Sequence, residues 1–452
     1  MTPNRLSYAE ALYALASRGR FGIRLGLGRT QALLSRLDHP ERTFRGALVA
    51  GTNGKGSVLA LVGSALTAAG YKVGETPKPH LVTYRERLQI GGVPVDRETF
   101  ASLAGRVLAE SEAVARRHGD PTEFELLTAI TFLWFAEVGV DLAVVEVGLG
   151  GRLDATHAWD GGVAVVTNVT LDHTDRLGTT VEAIAKEKAA IIMRGDLAVT
   201  GAWGSALDVI ERRSRRVAAP LTVTPPAPLR AVDRDGIEVE LGRLGRVRVG
   251  LRGRHQAANV AVADATLDAL ESAGIARVPG EWRRAGYAAV RWPGRLELVA
   301  AAGREILLDG AHNPAGAATL AEAFDDLAPF LRPGRPTLVL AILADKDIDG
   351  VIRGLAGSAA LREARVICTV PAGGRALPAG ELAARWEALV GRIAEAVAEP
   401  AAALDAALSP GSGPGPIVIA GSLYLVGAAR AILVSDPLLI PDPPLPPPEA
   451  TR

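Results

Sequence analysis

The segment Gly51-Thr52-Asn53-Gly54-Lys55-Gly56-Ser57 constrains the fold of this 452-residue chain more than any other. It follows the apolar run Ala47–Ala50, and apolar residues then recur at helical spacing from Val58 to Leu66. A strand, a glycine loop and a helix in this order form the βα unit of a parallel sheet. Glycines let main-chain N–H groups surround an anion, and the helix N-terminus adds positive partial charge. The segment therefore predicts a Walker-A-like phosphate-binding loop, with Lys55 on the outer phosphates and Ser57 placed to ligate Mg²⁺.

The same alternation of strands and helices continues along the chain and predicts an α/β fold. Apolar runs at 142–147 and 163–169 indicate further strands, and residues 221–254 have the alternation of a small antiparallel insert. A second alternation begins after Trp292-Pro293-Gly294. We predict a P-loop-containing parallel-sheet domain over 1–292, a smaller Rossmann-like α/β domain over 293–436, and a proline-rich tail over 437–452 that is extended or disordered.

Composition excludes several classes of protein. Fifty acidic residues balance fifty basic ones, so no net field favours nucleic acid or an acidic membrane. The single cysteine, Cys368, excludes an internal disulfide framework and a Cys-based zinc cluster. No apolar run approaches the ~18 residues of a membrane span, and the N-terminus lacks a signal-peptide core. We therefore expect a cytoplasmic protein.

Glu146 ends one of the predicted strands and precedes a glycine-rich segment, 148–151. An ionised group on an apolar strand is costly unless it is paired or metal-bound, and ligands of parallel sheets bind at that strand end. Taken alone, the pattern also fits a structural glutamate that caps a turn. Beyond a phosphate-binding loop it makes Glu146 a candidate Mg²⁺ ligand and Asp154 a candidate substrate contact.

A second polar cluster follows the predicted strand at 163–169. Asp172 and Asp175 flank His173, as expected around a metal or a phosphate. On the helix that comes next, Lys188 falls on the apolar face and therefore points inward. A buried lysine requires an anionic partner or a modification that removes its charge.

A third cluster, Asp309-Gly310-Ala311-His312-Asn313-Pro314, lies where a strand ends and a helix begins in the second predicted domain. By itself it fits a glycine-proline turn as well as a binding site.

Together these segments resemble the folate branch of the Mur-ligase superfamily, the dihydrofolate synthase/folylpolyglutamate synthases. The resemblance covers nearly the whole chain, in family order. The matching stretches are GTNGKGS (51–57), PHLVTYRERLQIGG (79–92), EVGLGGRLDAT (146–156), TNVTLDHTDRLG and IAKEKAAII (167–192), HQAANVAVA (255–263), PGRLE (293–297) and DGAHNP (309–314).

The resemblance implies an ATP-dependent amide ligase with a Mur-ligase central-type N-terminal domain and a C-terminal glutamate/nucleotide domain. In such ligases Mg·ATP phosphorylates a carboxylate of dihydropteroate or of a folate, and the amino group of L-glutamate attacks the acyl phosphate. This chemistry depends on positioning and charge neutralisation. The resemblance also implies a monomer that binds ATP and Mg²⁺ at one or two sites.

Matching positions assign roles to individual residues. The nucleotide, which would bridge both domains, is assigned to Gly54, Lys55, Gly56, Ser57, Asn259, Arg295 and Asp309. Magnesium is assigned to Ser57, Glu146 and His173, and catalytic roles to Lys55, Lys188, His173 and His312. Lys188 would be carbamylated. The pterin side is assigned to Gly28, Arg29, Thr30, Thr122, Glu123, Phe124, Glu125, Leu153, Asp154 and Ala155.

Two positions depart from the family pattern, and one of them is His157, where the family usually has an asparagine after LDAT. The other is residue 78. The family commonly has a magnesium-binding serine two residues before the histidine of PHL, whereas this chain has Lys78. Since an ammonium does not ligate a cation, we hypothesise that Lys78 supplies positive charge to a phosphate or to a substrate carboxylate. Two other functions remain open from sequence: a Mur-type ligase acting on another carboxylate substrate, and a non-catalytic ATP-binding protein.

Overall fold

The computed structural model describes residues 6–19, 25–371 and 376–444, and its elements follow the predicted alternation. Up to residue 226 the elements are α1 (Tyr8–Gly19), α2 (Gly28–Arg36), β1 (Gly46–Ala50), α3 (Lys55–Ala68), β2 (Val73–Thr76), β3 (Gln89–Ile90), β4 (Val93–Pro94), α4 (Arg97–His118), α5 (Glu123–Val138), β5 (Leu142–Glu146), β6 (Gly162–Val166), α6 (Thr174–Leu177), α7 (Val181–Ala189), β7 (Leu197–Thr200), α8 (Gly204–Val217) and β8 (Leu221–Val223).

The remaining elements complete the α/β pattern. They are β9 (Leu229–Asp233), β10 (Gly236–Leu241), β11 (Gly245–Val249), α9 (Gln256–Ser272), α10 (Gly280–Ala289), β12 (Glu297–Ala301), β13 (Arg304–Leu308), α11 (Pro314–Leu327), β14 (Thr337–Leu340), α12 (Ile348–Leu355), α13 (Ala359–Arg362), β15 (Arg365–Cys368), α14 (Ala379–Val390), β16 (Ala394–Ala396), α15 (Pro400–Leu408), β17 (Ile417–Ala420) and α16 (Leu423–Leu433).

The first compact unit contains the described residues up to 226, residues 258–287 and the segment from 441. Its sheet has the strand order β4-β3-β2-β5-β1-β6-β7-β8, in which β2, β5, β1, β6, β7 and β8 are parallel and β3 and β4 antiparallel. Every residue of β1 and β5 is buried. Strands with this burial belong to sheets whose two faces are both covered by helices.

The register of the central strands decides which residues meet at the edge of the sheet. Val49 pairs with Glu146, Ala50 with Val166, and Thr76 with Val145. The carboxyl ends of β2, β5, β1 and β6 therefore lie side by side. The polar segments that follow these strands gather at this edge, where ligands of parallel sheets bind.

Helices α9 and α10 complete the first unit although they follow the strands β9–β11 in sequence. A Cβ atom at Gly286 would lie 2.4 Å from Cα of Ala65, and Ser64 Oγ donates a hydrogen bond of 2.8 Å to the main-chain oxygen of Gly286. This close approach of α10 to α3 requires glycine at position 286.

The second compact unit contains residues 227–257 and 288–440. Its larger sheet has the order β12-β13-β17-β14-β15-β16, parallel except for the β12–β13 pair, and β9–β11 form a three-stranded antiparallel sheet. The antiparallel insert is thus present, but it groups with the second unit and not with residues 1–292. The alternation of residues predicts the strands of this sheet, but it does not indicate with which compact unit the sheet packs.

The described part of the C-terminal tail is anchored, which differs from the prediction of an extended or disordered segment. The carboxylate of Asp442 accepts hydrogen bonds from Tyr8 Oη (2.5 Å), Thr83 Oγ1 (2.6 Å) and the Tyr84 N–H (2.8 Å). Residues 445–452 lie outside the described residues, so the prediction stands untested there. Among the helices that the structure describes, none combines the length and apolar character needed to cross a membrane.

Candidate active site

The phosphate-binding loop has the conformation that its glycines predict. Gly51 has φ +152° and Gly54 φ +83°. A Cβ atom would lie 1.9 Å from Thr167 Oγ1 at Gly51 and 2.3 Å from Asn259 Oδ1 at Gly54. The loop thus forms a cradle that side chains would fill, and it opens onto the first turn of α3 with Ser57. Asn259, assigned to the nucleotide by resemblance, lies against this loop.

The end of β6 holds the loop in place. Asn53 N–H donates to Asn168 Oδ1 (2.9 Å), and Thr167 Oγ1 donates to the main-chain oxygen of Asn53 (2.7 Å). Thr52 N–H donates to the main-chain oxygen of Asn168 (2.9 Å). Sequence reasoning missed these two positioning residues, Thr167 and Asn168, although both belong to the 167–178 motif. Only the acidic residues and the histidine of that motif were assigned roles.

Lys55 and Glu146 face each other across the same edge. Lys55 Nζ donates hydrogen bonds of 3.2 Å to the main-chain oxygens of Gly51 and Thr52, and lies 3.8 Å from Glu146 Oε1. The Glu146 side chain is 4% exposed. The structure therefore pairs the predicted phosphate-binding cation with the predicted magnesium ligand.

Lys188 points inward, as its position on the apolar face of α7 predicts. It is buried, and its Nζ donates a hydrogen bond of 2.8 Å to the main-chain oxygen of Gly51. Burial, with a smaller contribution from the charge of Lys55, lowers the pKa of Lys188 to about 7, although Asp172 and Asp154 act in the opposite direction. A lowered pKa increases the fraction of an amine that is uncharged near neutral pH.

His173 has a left-handed backbone, φ +49°, at the start of α6. Its N–H donates to Asp172 Oδ1 (2.8 Å), and its Nε2 lies 3.9 Å from the same oxygen. Asp175 instead pairs with Arg176 at 3.1 Å, so of the two predicted acidic neighbours the structure places Asp172 on the histidine.

The donor chemistry of the edge suits magnesium bound together with a nucleotide. Among the described residues, no group of three or more His, Cys, Asp or Glu side chains could hold a metal by itself. Magnesium commonly takes one or two carboxylates and completes its shell with substrate phosphates and water. Glu146 and the Ser57 hydroxyl, beside the phosphate cradle, are oxygen donors of this kind.

Three segments assigned to the pterin side come together in the structure. Arg29 binds Glu125 in a bidentate ion pair, with Nη2–Oε1 and Nε–Oε2 distances of 2.9 Å. Gly26 N–H donates to the main-chain oxygen of Leu153 (3.3 Å), and the Glu125 carboxylate also accepts from the Thr122 N–H (2.7 Å). Residues 25–30, 122–125 and 153–155 therefore form one continuous wall, although they are far apart in sequence.

The predicted residues of the second unit surround the end of β13. The Asp309 carboxylate accepts from the N–H groups of Leu296 and Ala311, both at 2.9 Å, and burial raises its pKa although Arg295 acts in the opposite direction. The His312 Nδ1 atom lies 2.8 Å from the main-chain oxygen of Gly310, and Asn313 caps α11. The structure thus brings Arg295, Asp309 and His312 into one local cluster.

Comparison with known proteins identifies the family. The Mur ligase middle domain matches residues 49–200, and the Mur ligase glutamate ligase domain matches residues 294–423. The dihydrofolate synthase/folylpolyglutamate synthase of Bacillus subtilis is 37% identical over 359 residues, covering 77% of this chain and 83% of that protein. The chain belongs to the dihydrofolate synthase/folylpolyglutamate synthase family.

Solved structures of this family share the fold. Mycobacterium tuberculosis folylpolyglutamate synthase complexed with ADP superposes with a TM-score of 0.83 at 31% identity, covering 95% of this chain and all of that one. The Escherichia coli family member in complex with DHPP and ADP has a TM-score of 0.80 at 28% identity, covering 94% of this chain and 98% of that one. The predicted α/β fold and the two Mur-type domains are confirmed.

Lys78, which departs from the pattern of the dihydrofolate synthase/folylpolyglutamate synthase family, lies beside Glu146. Its N–H donates to Glu146 Oε2 (2.9 Å), its Nζ donates to the main-chain oxygen of Glu146 (2.6 Å), and its Nζ lies 4.8 Å from the centroid of the Phe124 ring. Burial lowers the pKa of Lys78 to about 8, while Asp154 and Glu146 act in the opposite direction. The sequence placed Lys78 in the site but did not indicate that Glu146 is its partner.

Proposed function

We propose that this chain uses ATP to ligate L-glutamate to dihydropteroate, to the γ-carboxylate of a folate, or to both, giving ADP and phosphate. The arrangement of Lys55, Glu146 and Lys188 around one phosphate-binding loop carries the proposal. Family membership supports it, because the relatives named above carry these activities in their names.

In the proposed reaction the first unit binds the triphosphate. The N–H groups of the loop and Lys55 would hold it, and Thr167 and Asn168 keep the loop in its binding conformation. In the second unit, Arg295, Asp309 and His312 are the residues that the family resemblance assigns to the nucleotide and to catalysis. Charge neutralisation by fixed groups, which cost no reorganisation at the moment of reaction, is the main source of rate acceleration in phosphoryl transfer.

Glu146, Ser57 and His173 would hold magnesium. The ion would neutralise phosphate charge and align the γ-phosphate with the substrate carboxylate. On the acceptor side, Arg29 is fixed by Glu125 and would present its guanidinium to the substrate from the wall of residues 25–30, 122–125 and 153–155. Attack of the carboxylate on the γ-phosphate gives an acyl phosphate and ADP, and the glutamate amine then displaces phosphate.

We further propose that Lys188 is carbamylated. Its lowered pKa supplies the neutral amine that reacts with CO₂, a step that forms the N–C bond and releases one proton. The resulting carbamate is an anion beside Lys55, whereas the unmodified ammonium and Lys55 repel each other. The modification would therefore relieve the electrostatic conflict of two lysines at Gly51 and would provide oxygens near the phosphates.

A paired assay tests the proposed function. Protein is incubated with ATP, Mg²⁺, L-glutamate and either dihydropteroate or tetrahydrofolate, and phosphate release and product mass are measured. We expect phosphate together with a product heavier by one glutamyl residue from at least one acceptor. Omission of glutamate serves as the control. Absence of product from both acceptors, with turnover of another carboxylate substrate instead, would overturn the proposal. We also expect a monomer that needs no nucleic acid or membrane partner.

A further inference from the structure

Lys78 binds a single residue, Glu146, through both its main-chain N–H and its side-chain ammonium. The Lys78 N–H binds the Glu146 carboxylate, and the Lys78 Nζ binds the Glu146 main-chain oxygen at 2.6 Å. The ammonium also lies over the Phe124 ring, whose face attracts a cation. The positive charge of Lys78 therefore has a defined position beside the carboxyl end of β5.

Both carboxylate oxygens of Glu146 already have a neighbouring donor group. Lys55 Nζ lies 3.8 Å from one carboxylate oxygen, and the Lys78 N–H binds the other. Lys78 also lines a small cavity, together with residues that include Thr76, Arg87 and Thr156. Among the described residues that line this cavity, Arg87 is a second cation besides Lys78, and none is a carboxylate. The Thr76 hydroxyl on this wall is buried without a hydrogen-bond partner among the described residues.

We propose that the Lys78 ammonium replaces a second divalent cation in this site, so that the chain binds one metal ion per nucleotide. The inference rests on the proposed function and concerns how its active site neutralises charge. A second ion bound beside Glu146 would lie close to a fixed ammonium of like charge, the one that holds the Glu146 main-chain oxygen. The Lys78 side chain thus supplies the positive charge that an exchangeable ion would otherwise bring.

The number of bound metal ions distinguishes this role from a merely structural one. Mn²⁺ binding is measured by electron paramagnetic resonance in the presence of a saturating non-hydrolysable ATP analogue. We expect one Mn²⁺ per wild-type chain and one per K78R chain, which keeps the charge. K78S removes the charge and adds a hydroxyl oxygen, a ligand type that magnesium and manganese accept, so we expect two Mn²⁺ per chain.

Lys72 offers a matched control. It is also a lysine next to β2, and its Nζ also donates to a main-chain oxygen, that of Val138 (3.1 Å). It is exposed and lies at the start of the strand, away from the phosphate-binding loop. We expect K72S to bind one Mn²⁺ per chain. Thermal denaturation verifies that each variant is folded, and K78Q replaces K78S if the serine variant does not fold.

Two outcomes would overturn the inference: two Mn²⁺ ions per wild-type chain, or one Mn²⁺ ion per folded K78S or K78Q chain. The failure of the proposed function is distinguishable, because a chain that binds neither the ATP analogue nor Mn²⁺ in any variant would not be an ATP-dependent ligase at all. A wild-type chain with nucleotide-dependent binding of two ions would keep the proposed function and lose only the role of Lys78.

Discussion

The amine nitrogen of Lys188 lies 2.8 Å from the main-chain oxygen of Gly51, the residue at which β1 gives way to the phosphate-binding loop. Lys55 Nζ donates to the same oxygen at 3.2 Å. Two amines therefore converge on one carbonyl, and burial lowers the pKa of the deeper one to about 7. This relationship is the basis of the first prediction.

Substitution of Lys188 by alanine should abolish the carbamate and reduce ligase turnover on the order of 100-fold, a loss typical for removal of one charge-stabilising group. Native mass spectrometry in bicarbonate buffer should show one added carboxyl group on the wild type and none on K188A. The wild-type fraction modified should rise as the pH increases through 7, since the neutral amine reacts. Lys186, exposed on the same helix, is the matched control, and K186A should retain the modification. A fully active K188A enzyme would contradict the prediction.

Substitution of Gly54 by alanine should weaken nucleotide binding at least tenfold. The new Cβ would lie 2.3 Å from Asn259 Oδ1 and would push this side chain off the loop. Gly70 is the control, because it also has a positive φ, +91°, but its Cβ would meet no atom within 4 Å. Both variants carry left-handed strain of about 1–2 kcal/mol, so thermal stability should fall in both. Titration with a fluorescent ATP analogue should show a weakened dissociation constant for G54A alone, and equal affinities would refute this account of the loop.

Removal of Arg29 should leave the Glu125 carboxylate buried without its ion pair. We expect R29A to lower the free energy of unfolding by about 3 kcal/mol, the cost of breaking a buried pair from one side, and to raise KM for the pterin acceptor more than KM for ATP. Arg36 lies on the same helix and pairs with Glu110 at 2.5 Å, but both of these side chains are substantially exposed. Urea unfolding should therefore show a loss below about 1 kcal/mol for R36A. Similar losses for the two variants would contradict the prediction.

Glu75 should make stability depend on pH in a direction opposite to that of most carboxylates. Burial raises its pKa from 4.5 to about 8, so between these values the folded state keeps a proton that the unfolded state has lost. Stability from this group is complete below pH 4.5 and is lost as the pH rises toward 8, by at most about 1.4 kcal/mol per pH unit. The neutral variant E75Q should therefore gain stability relative to the wild type between pH 5 and pH 8 in urea unfolding. E112Q, at an exposed position, should show no such trend.

Local patterns in the sequence predicted much of the fold and part of the site. The run Ala47–Ala50 and the glycines after it indicated a strand and a phosphate loop because apolar runs and glycine geometry are local properties. The position of Lys188 between Ile184 and Ile192 similarly indicated its inward direction, since helical periodicity decides which face is buried.

Contacts between distant residues could not be read in the same way. No sequence pattern marks Asn168 as a contact of the loop. Its side chain nevertheless accepts a hydrogen bond from the N–H of Asn53, 115 positions away. Asp442 lies in a proline-rich segment that predicts no structure, and it binds Tyr8 across 434 positions. These pairs depend on how strands and helices are brought together, and so only the tertiary structure reveals them.

The first unit is built from separate segments of the chain, and this limits when it can finish folding during synthesis. Domains generally fold as units while the chain emerges, with the N-terminal one first. Here α3 and the phosphate loop need Gly286 and Asn259, which are translated after the strands β9–β11 of the second unit. The first unit therefore cannot complete its fold until strands β9–β11 of the second unit have been synthesised. Folding of the two units must overlap in time and cannot be strictly successive.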